Sequence, residues 1–200
     1  MNAKIRQRRP AFDRDQGIAL AQALFHQRGF DAVSLSDLTE AMDIKPPSFY
    51  AAYGNKAALF EKAMVRYASE KALPLDKLLT RDRPPADALT DLLVSAALQY
   101  GGDRTMRGCM ITEGMRADDS VARNTAEKLG DVGIQTIRRY LVEVCPENAH
   151  TLADYLQITL RGLSAAACSG MSVEQLKEAA EFAGKMISRE FEAREANPNS

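Results

Sequence analysis

The chain has 200 residues, 46% of them hydrophobic, with 26 Lys or Arg against 27 Asp or Glu and a formal net charge of −1. No apolar run approaches a membrane span and no apolar stretch follows the basic N-terminus, which argues against a membrane or exported protein and leads us to expect a cytoplasmic one. The three cysteines, Cys109, Cys145 and Cys168, show neither a disulfide framework nor metal-ligand spacing. Tryptophan is absent, and the wealth of Ala, Leu, Met, Glu, Gln, Lys and Arg predicts an all-α fold. Charge is unevenly placed: through Lys56 there are eight Lys or Arg against six Asp or Glu, and afterwards eighteen against twenty-one. The basic excess therefore sits at one end, where it can meet phosphate.

The stretch Lys4 to Pro10, which includes Arg8 and Arg9, reads as a basic arm. A first helix is expected from Asp13 to Arg28, capped by Asp13, with Ile18, Ala21, Leu24 and Phe25 as its apolar stripe and Gly29 as its stop. His26 on that helix has no acidic or thiol partner at metal spacing and reads as a surface or satisfied histidine. Ser34 then caps a short helix ending near Met42, and Asp37 three residues on completes a variant of the capping box. Asp43 and Ile44 make a turn. Lys45-Pro46-Pro47-Ser48 opens another short helix, since proline is tolerated where backbone N–H groups lack helical partners. Phe49 and Tyr53 form its buried side, leaving Lys45, Ser48, Tyr50 and Ala51 outward. Two such helices cannot fold alone, and under a covering first helix they form a helix-turn-helix unit whose second member would lie in the DNA major groove.

Asn55 caps the next helix, a connector from Lys56 to about Leu73, stopped by Pro74. Residues from Leu75 to Pro85 read as a loop. Further helices are expected from Ala86 to Tyr100, briefly through Glu113 and Met115, from Asp118-Asp119-Ser120 to Val144, from Asn148 to Ser169, and from Ser172 through Phe191. The helix from Asn148 carries two apolar stripes, one of Leu152, Leu156, Leu160, Leu163 and Ala167, the other of Tyr155, Ile158, Gly162 and Ala165. A helix apolar on two sides must be covered twice. This surplus predicts a homodimer through a four-helix bundle, with Leu156, Leu160, Leu163, Ala179, Ala183 and Met186 expected at the interface. The polar tail from Glu195 to Ser200 is expected to fray.

Arg28-Gly29-Phe30-Asp31-Ala32-Val33-Ser34-Leu35 with Asp37-Leu38, and Ser48 through Phe60, resemble the DNA-binding domain of the TetR family of bacterial transcriptional regulators (TetR/AcrR-like). The likeness covers about Phe12 to Tyr67, a third of the chain. It implies an N-terminal DNA-binding domain over residues 1–55 and a helical ligand-binding and dimerisation domain over 56–200, some nine helices in all, with 56–73 connecting them. It also implies that Ser34, Tyr50 and Lys56 meet phosphate and that Lys45, Pro46, Ser48 and Ala51 face DNA. Two departures stand out: Asp43 replaces the family's turn glycine, and Ala51 replaces a frequent aromatic or histidine, so the operator is not inherited. Arg107-Gly108-Cys109-Met110 resembles a Gly-Cys segment of some of these regulators, which makes Cys109 a candidate sensor, with Arg104 and Arg107 favouring its thiolate. The alternatives for Cys109 are a buried small hydrophobe and a Cu(I) ligand together with Met106, Met110 or Met115.

The expected function is thus a homodimeric repressor that binds a palindromic operator and is released by a small-molecule inducer, an oxidant or an electrophile. It needs no cofactor, metal or membrane. A small helical enzyme is disfavoured because no nucleophile–base pair, carboxylate pair or phosphate loop stands out. A helix-turn-helix protein for nonspecific DNA packaging or for protein contact is the remaining alternative.

Overall fold

A computed structural model describes residues 13–196, so Arg8, Arg9 and the rest of the expected basic arm, and the last residues of the expected tail, lie outside the described residues. Within them the fold is all helical: α1 (Arg14–Arg28), α2 (Leu35–Ala41), α3 (Pro46–Tyr53), α4 (Lys56–Lys71), α5 (Leu75–Leu78), α6 (Pro85–Gly101), α7 (Met110–Gly114), α8 (Ser120–Val144), α9 (Ala149–Cys168) and α10 (Val173–Ala196). Two short elements go beyond those expected: a 3-10 turn over Pro146–Asn148 before α9, and α5, a single turn inside the segment read as a loop. Its carbonyl-to-amide bonds start at Pro74, whose ring blocks continuation of α4 but suits the N-terminal side of a new turn. Among the described residues no helix is long and apolar enough to cross a membrane.

Several helices start on a side-chain cap. The Asp13 carboxylate accepts from the backbone of Asp15 at 2.9 Å and Gln16 at 3.3 Å, Asn55 accepts from Ala58 at 2.8 Å, and Asp119 accepts from Val121 and Ala122, each at 2.9 Å. Ser172 and Gln175 exchange bonds at the start of α10. Each cap satisfies amides that have no partner inside the helix, a contribution of about 1 kcal/mol.

Two apolar clusters hold the chain together. One joins Phe25, Phe30, Leu38, Phe49, Tyr53 and Phe60 and reaches into the body, taking in Met110 of α7 and Ala122 and Ala126 of α8. The other joins α6, α8, α9 and α10 through Leu89, Leu92, Leu93, Leu141, Leu156 and Leu176. The first cluster crosses residue 55, so the head and the body share packing rather than meeting only at the connector. Cys109 borders both clusters.

The two stripes of α9 separate as a doubly covered helix requires, but several residues expected at the dimer interface belong to the inner one. Leu156, Leu163 and Ala183 are buried within the protomer, and Leu160 packs inward beside them. They pack within the protomer, because α6 and α8 cover that side of α9 and α6 covers α10. The outer face carries Tyr155, Ile158 (71% exposed) and Phe182 (64%), with Gly162, Ala165 and Ala179 also exposed.

Candidate DNA-reading face and internal cavity

The reading head is fixed by its interior. Ser34 and Asp37 form the full capping box: the Asp37 amide donates to the Ser34 hydroxyl at 3.1 Å, and the Ser34 amide donates to the Asp37 carboxylate at 2.7 Å. The Ser34 hydroxyl also donates its proton to that carboxylate at 2.5 Å. Arg28 closes the arrangement with an ion pair to Asp37 at 2.9 Å. Arg28 and then Ser34 hold the Asp37 carboxyl well below its ordinary value of 3.8. The hydroxyl expected on a phosphate also serves the cap.

Asp43, in the place of a turn glycine, takes φ +50, the left-handed conformation that the tight turn between α2 and α3 needs. Beyond it, α3 buries Phe49 and Tyr53 completely or nearly so, and the Tyr53 hydroxyl donates to the Arg14 carbonyl at 2.9 Å, tying α3 to the start of α1. Lys45, Pro46, Ser48, Tyr50 and Ala51 are all exposed on the opposite side. Tyr50 stands edge-on to Phe49, with ring centroids 5.8 Å apart. One side of α3 is therefore locked and the other free.

Lys56 departs from expectation. Its ammonium is turned inward, donating to the Phe30 and Val33 carbonyls at 2.9 Å each and lying 4.0 Å from the Phe30 ring centroid. With two of three donors engaged, it chiefly fastens the loop between α1 and α2 to the start of α4.

The body holds a cavity of about 520 Å³, open to solvent on one side, between α4, α5, α6, α7, α8 and α9. Its walls are mainly apolar, with Ile111, Met115, Leu129, Ile134 and Ile137, and with Leu160, one of the residues expected at the dimer interface. A few polar groups converge on it: Gln99, Thr112, Thr136, Gln157 and Arg161, with Lys71 and Asp76. That composition suits a small, largely apolar ligand carrying a few hydrogen-bonding groups.

Cys109 lines this cavity and is half-buried. Its amide donates to the hydroxyl of Ser164, a fully buried residue of α9, at 2.9 Å. The residues expected to act on its sulfur do otherwise: Arg107 donates to the Ala167 and Met171 carbonyls at 3.3 and 3.0 Å, closing the end of α9, and Arg104 is exposed. The groups that face the sulfur are the phenols of Tyr67 and Tyr100. Burial first, then the neighbouring thiol, pushes both well above the ordinary phenol value of 10.0, so both stay protonated. Neutral phenols can donate to a thiolate.

Of the methionines weighed as copper ligands, two lie away from the Cys109 sulfur. Met110 is buried in the head cluster, and Met106 lines a separate cleft with His26, leaving only Met115 beside Cys109 in the cavity. Tyr67, Tyr100 and Ser164 escape sequence reasoning because each sits at an ordinary core position of its helix. Ser164, a small polar residue within the apolar run of α9, is the one that carried a signal.

A helix-turn-helix with one side of its second helix held in a core and the other free, joined to a helical body with an internal cavity, defines a class: DNA-binding regulators with a separate ligand chamber. The chain belongs to the TetR family of bacterial regulatory proteins. The model of the family described as "Bacterial regulatory proteins, tetR family" matches residues 18–63. The HTH-type transcriptional repressor BdcR of Escherichia coli (strain K12) is 39% identical over 176 residues, covering 88% of this chain and 89% of that protein. The HTH-type transcriptional repressor ComR of the same organism is 30% identical over 188 residues, covering 88% and 90%. Among solved structures, a cysteine mutant of the TetR family regulator CifR complexed with 26-bp double-strand operator DNA superposes with a TM-score of 0.78 at 28% identity, covering 89% of this chain and 98% of that one.

Proposed function

We propose that this chain is a homodimeric transcriptional repressor that reads a palindromic operator with paired α3 helices and leaves it when a small molecule enters the body cavity. The observation that carries the reading is α3 itself, whose Pro46, Ser48, Tyr50 and Ala51 lie exposed while Phe49 and Tyr53 anchor it from behind. Two copies would join through the outer stripe of α9 and α10, where Tyr155, Ile158 and Phe182 offer apolar area next to small Gly162 and Ala165. The division of labour runs from a reading head ending near residue 55, through α4, to a regulatory and dimerisation body. Release is a population shift: a ligand that favours a spacing of the α3 pair other than one duplex turn lowers operator affinity by its differential affinity for the two forms.

Cys109 supports a covalent variant of the same mechanism. The Cys109 thiol, reacting as its thiolate, can add to an electron-poor C=C bond: the S–C bond forms as the C=C π bond breaks, and the resulting enolate takes a proton from water at carbon.

Selection from a random duplex library tests the DNA reading. The expected result is an enriched palindrome bound orders of magnitude more tightly than random duplex at moderate salt. Binding without an enriched sequence, abolished as salt rises, would instead mark a packaging protein. For the thiol, operator release by N-ethylmaleimide should vanish in Cys109→Ser.

A further inference from the structure

α1 packs along α4, which forms one wall of the cavity, and α1 is fastened at both ends. Near its N-terminus the Arg14 carbonyl accepts from the hydroxyl of Tyr53 on α3 at 2.9 Å. In its last turn, His26 lies beside Tyr67 of α4, and its Nε2 lies 3.3 Å from the Gly108 carbonyl of the body. A carbonyl only accepts, so Nε2 carries the proton. The His26 ring also stands edge-on to Tyr67, 5.1 Å between centroids at 79°, and Tyr67 and Cys109 both line the cavity.

Gly108 makes this contact informative because it has no room to move independently. Its φ is +74, and a Cβ placed on it would sit 2.5 Å from the Cys168 sulfur and 3.0 Å from the Ser164 carbonyl oxygen. Its own amide donates to the Tyr100 carbonyl at 3.0 Å. A displacement of Cys109 or Tyr100 must therefore carry the Gly108 carbonyl with it. From His26 to Arg14 is twelve residues of helix, about 18 Å of stiff rod at 1.5 Å per residue. Beside His26, Phe25 is locked between Phe30 and Phe60, at centroid distances of 5.9 and 5.1 Å, so a pull on His26 is borne by the helix rather than absorbed by slack.

We infer that His26 is the coupling residue between chamber and reading head: its Nε2–H bond to the Gly108 carbonyl passes the position of the Cys109 segment to α1, and α1 passes it to α3 through Arg14 and Tyr53. The inference rests on the proposal that cavity and operator are coupled at all. His26 touches neither DNA-facing residues nor the cavity, and so acts as a positioning residue.

Linkage supplies a test that needs no natural inducer, because a site that shifts operator affinity must respond to the operator in turn. The probe is N-ethylmaleimide on the full-length dimer, with or without saturating selected operator. The alkylation rate of Cys109 is read by mass spectrometry on the tryptic peptide 108–116, which contains no other cysteine. In wild type the operator should change that rate at least about fivefold, the lower end of ordinary allosteric coupling. In His26→Phe, which keeps a ring against Tyr67 but has no donor, the ratio should collapse to near one while operator affinity stays within about threefold of wild type. His26→Gln, which restores an N–H donor, should recover most of it. His26→Leu serves as a second donor-free variant should the larger ring disturb packing. No operator dependence in wild type would overturn the two-site function and this inference with it. Dependence that persists in the donor-free variants, or is lost equally in His26→Gln, would overturn the role of His26 alone.

Discussion

Replacing Lys56 by Met separates two roles for the residue that opens α4. The ammonium donates to the Phe30 and Val33 carbonyls at 2.9 Å each and lies 4.0 Å from the Phe30 ring centroid. Met keeps an apolar stem of similar length but removes every donor. Hydrogen bonds to a charged group contribute about 1.5–3 kcal/mol each, and the two here share one desolvation cost, so they do not add in full. The Phe30 carbonyl also keeps the Val33 amide at 3.3 Å, which leaves the Val33 carbonyl as the group chiefly orphaned. The expected loss is about 2–4 kcal/mol of unfolding free energy, or roughly 4–16 °C in Tm for a chain of this size. Urea denaturation at one fixed protomer concentration measures it, since dimer stability depends on concentration. Operator affinity at low temperature, where the variant is folded, should fall only a few-fold. A stability loss below about 0.5 kcal/mol together with a tenfold or greater loss of operator affinity would refute the reasoning and return Lys56 to the phosphate backbone.

Tyr50→Ala should weaken operator binding about tenfold or more while leaving the dimer and its melting unchanged, because the ring is exposed and its neighbour Phe49 stays buried; fluorescence anisotropy with sedimentation checks both halves. Ile158→Asp should shift the sedimentation coefficient to that of a monomer, whereas Leu156→Ala should cost about 2–5 kcal/mol in urea unfolding by opening a cavity inside the protomer. Gly108→Ala should destabilise the fold by about 1–3 kcal/mol, through positive φ and the contact with the Cys168 sulfur, and Cys168→Ala should recover part of that loss. Burial lowers the pKa of His26 from its ordinary 6.5, against the raising effect of the Gly108 and Arg107 carbonyls and Asp103, with Lys71 adding to the lowering and Arg66 and Glu70 lining the same cleft. The unfolded chain then binds the extra proton first, so this group's stabilisation is full above pH 6.5 and is lost as pH falls below it. Urea titrations between pH 7 and pH 5 should show this slope, reduced in His26→Gln.

The reading head was legible because its signals are local. A capping box spans four residues, a proline pair sits in the first turn of α3, and Phe49 and Tyr53 fall one helical turn apart, so sequence spacing alone places them on one side. The inward turn of Lys56 was not legible, because its partners at Phe30 and Val33 lie more than twenty residues away and are backbone carbonyls, which any residue type supplies. The same limit hid Arg107, whose acceptors are the terminal carbonyls of α9. In α9 the two apolar stripes were visible, but periodicity cannot say which stripe faces the core. Side-chain size decides it: the large aliphatic side chains fill the protomer interior, while the mixed stripe of Tyr155, Ile158, Gly162 and Ala165 is left outside.

The segment 107–110 shows why head and body should respond to each other. In four consecutive residues, Arg107 closes α9, Gly108 bonds α6 and α1, Cys109 lines the cavity, and Met110 enters the aromatic cluster of the head. A ligand large enough to displace Cys109 within a 520 Å³ chamber therefore strains a glycine that has no space to yield and a methionine packed on Phe60 and its neighbours. Close-packed interiors respond to such strain by switching between arrangements rather than deforming smoothly. On the proposed mechanism, strain at Cys109 reaches the head through the Gly108–His26 bond, while Met110 keeps the head's core seated against the body.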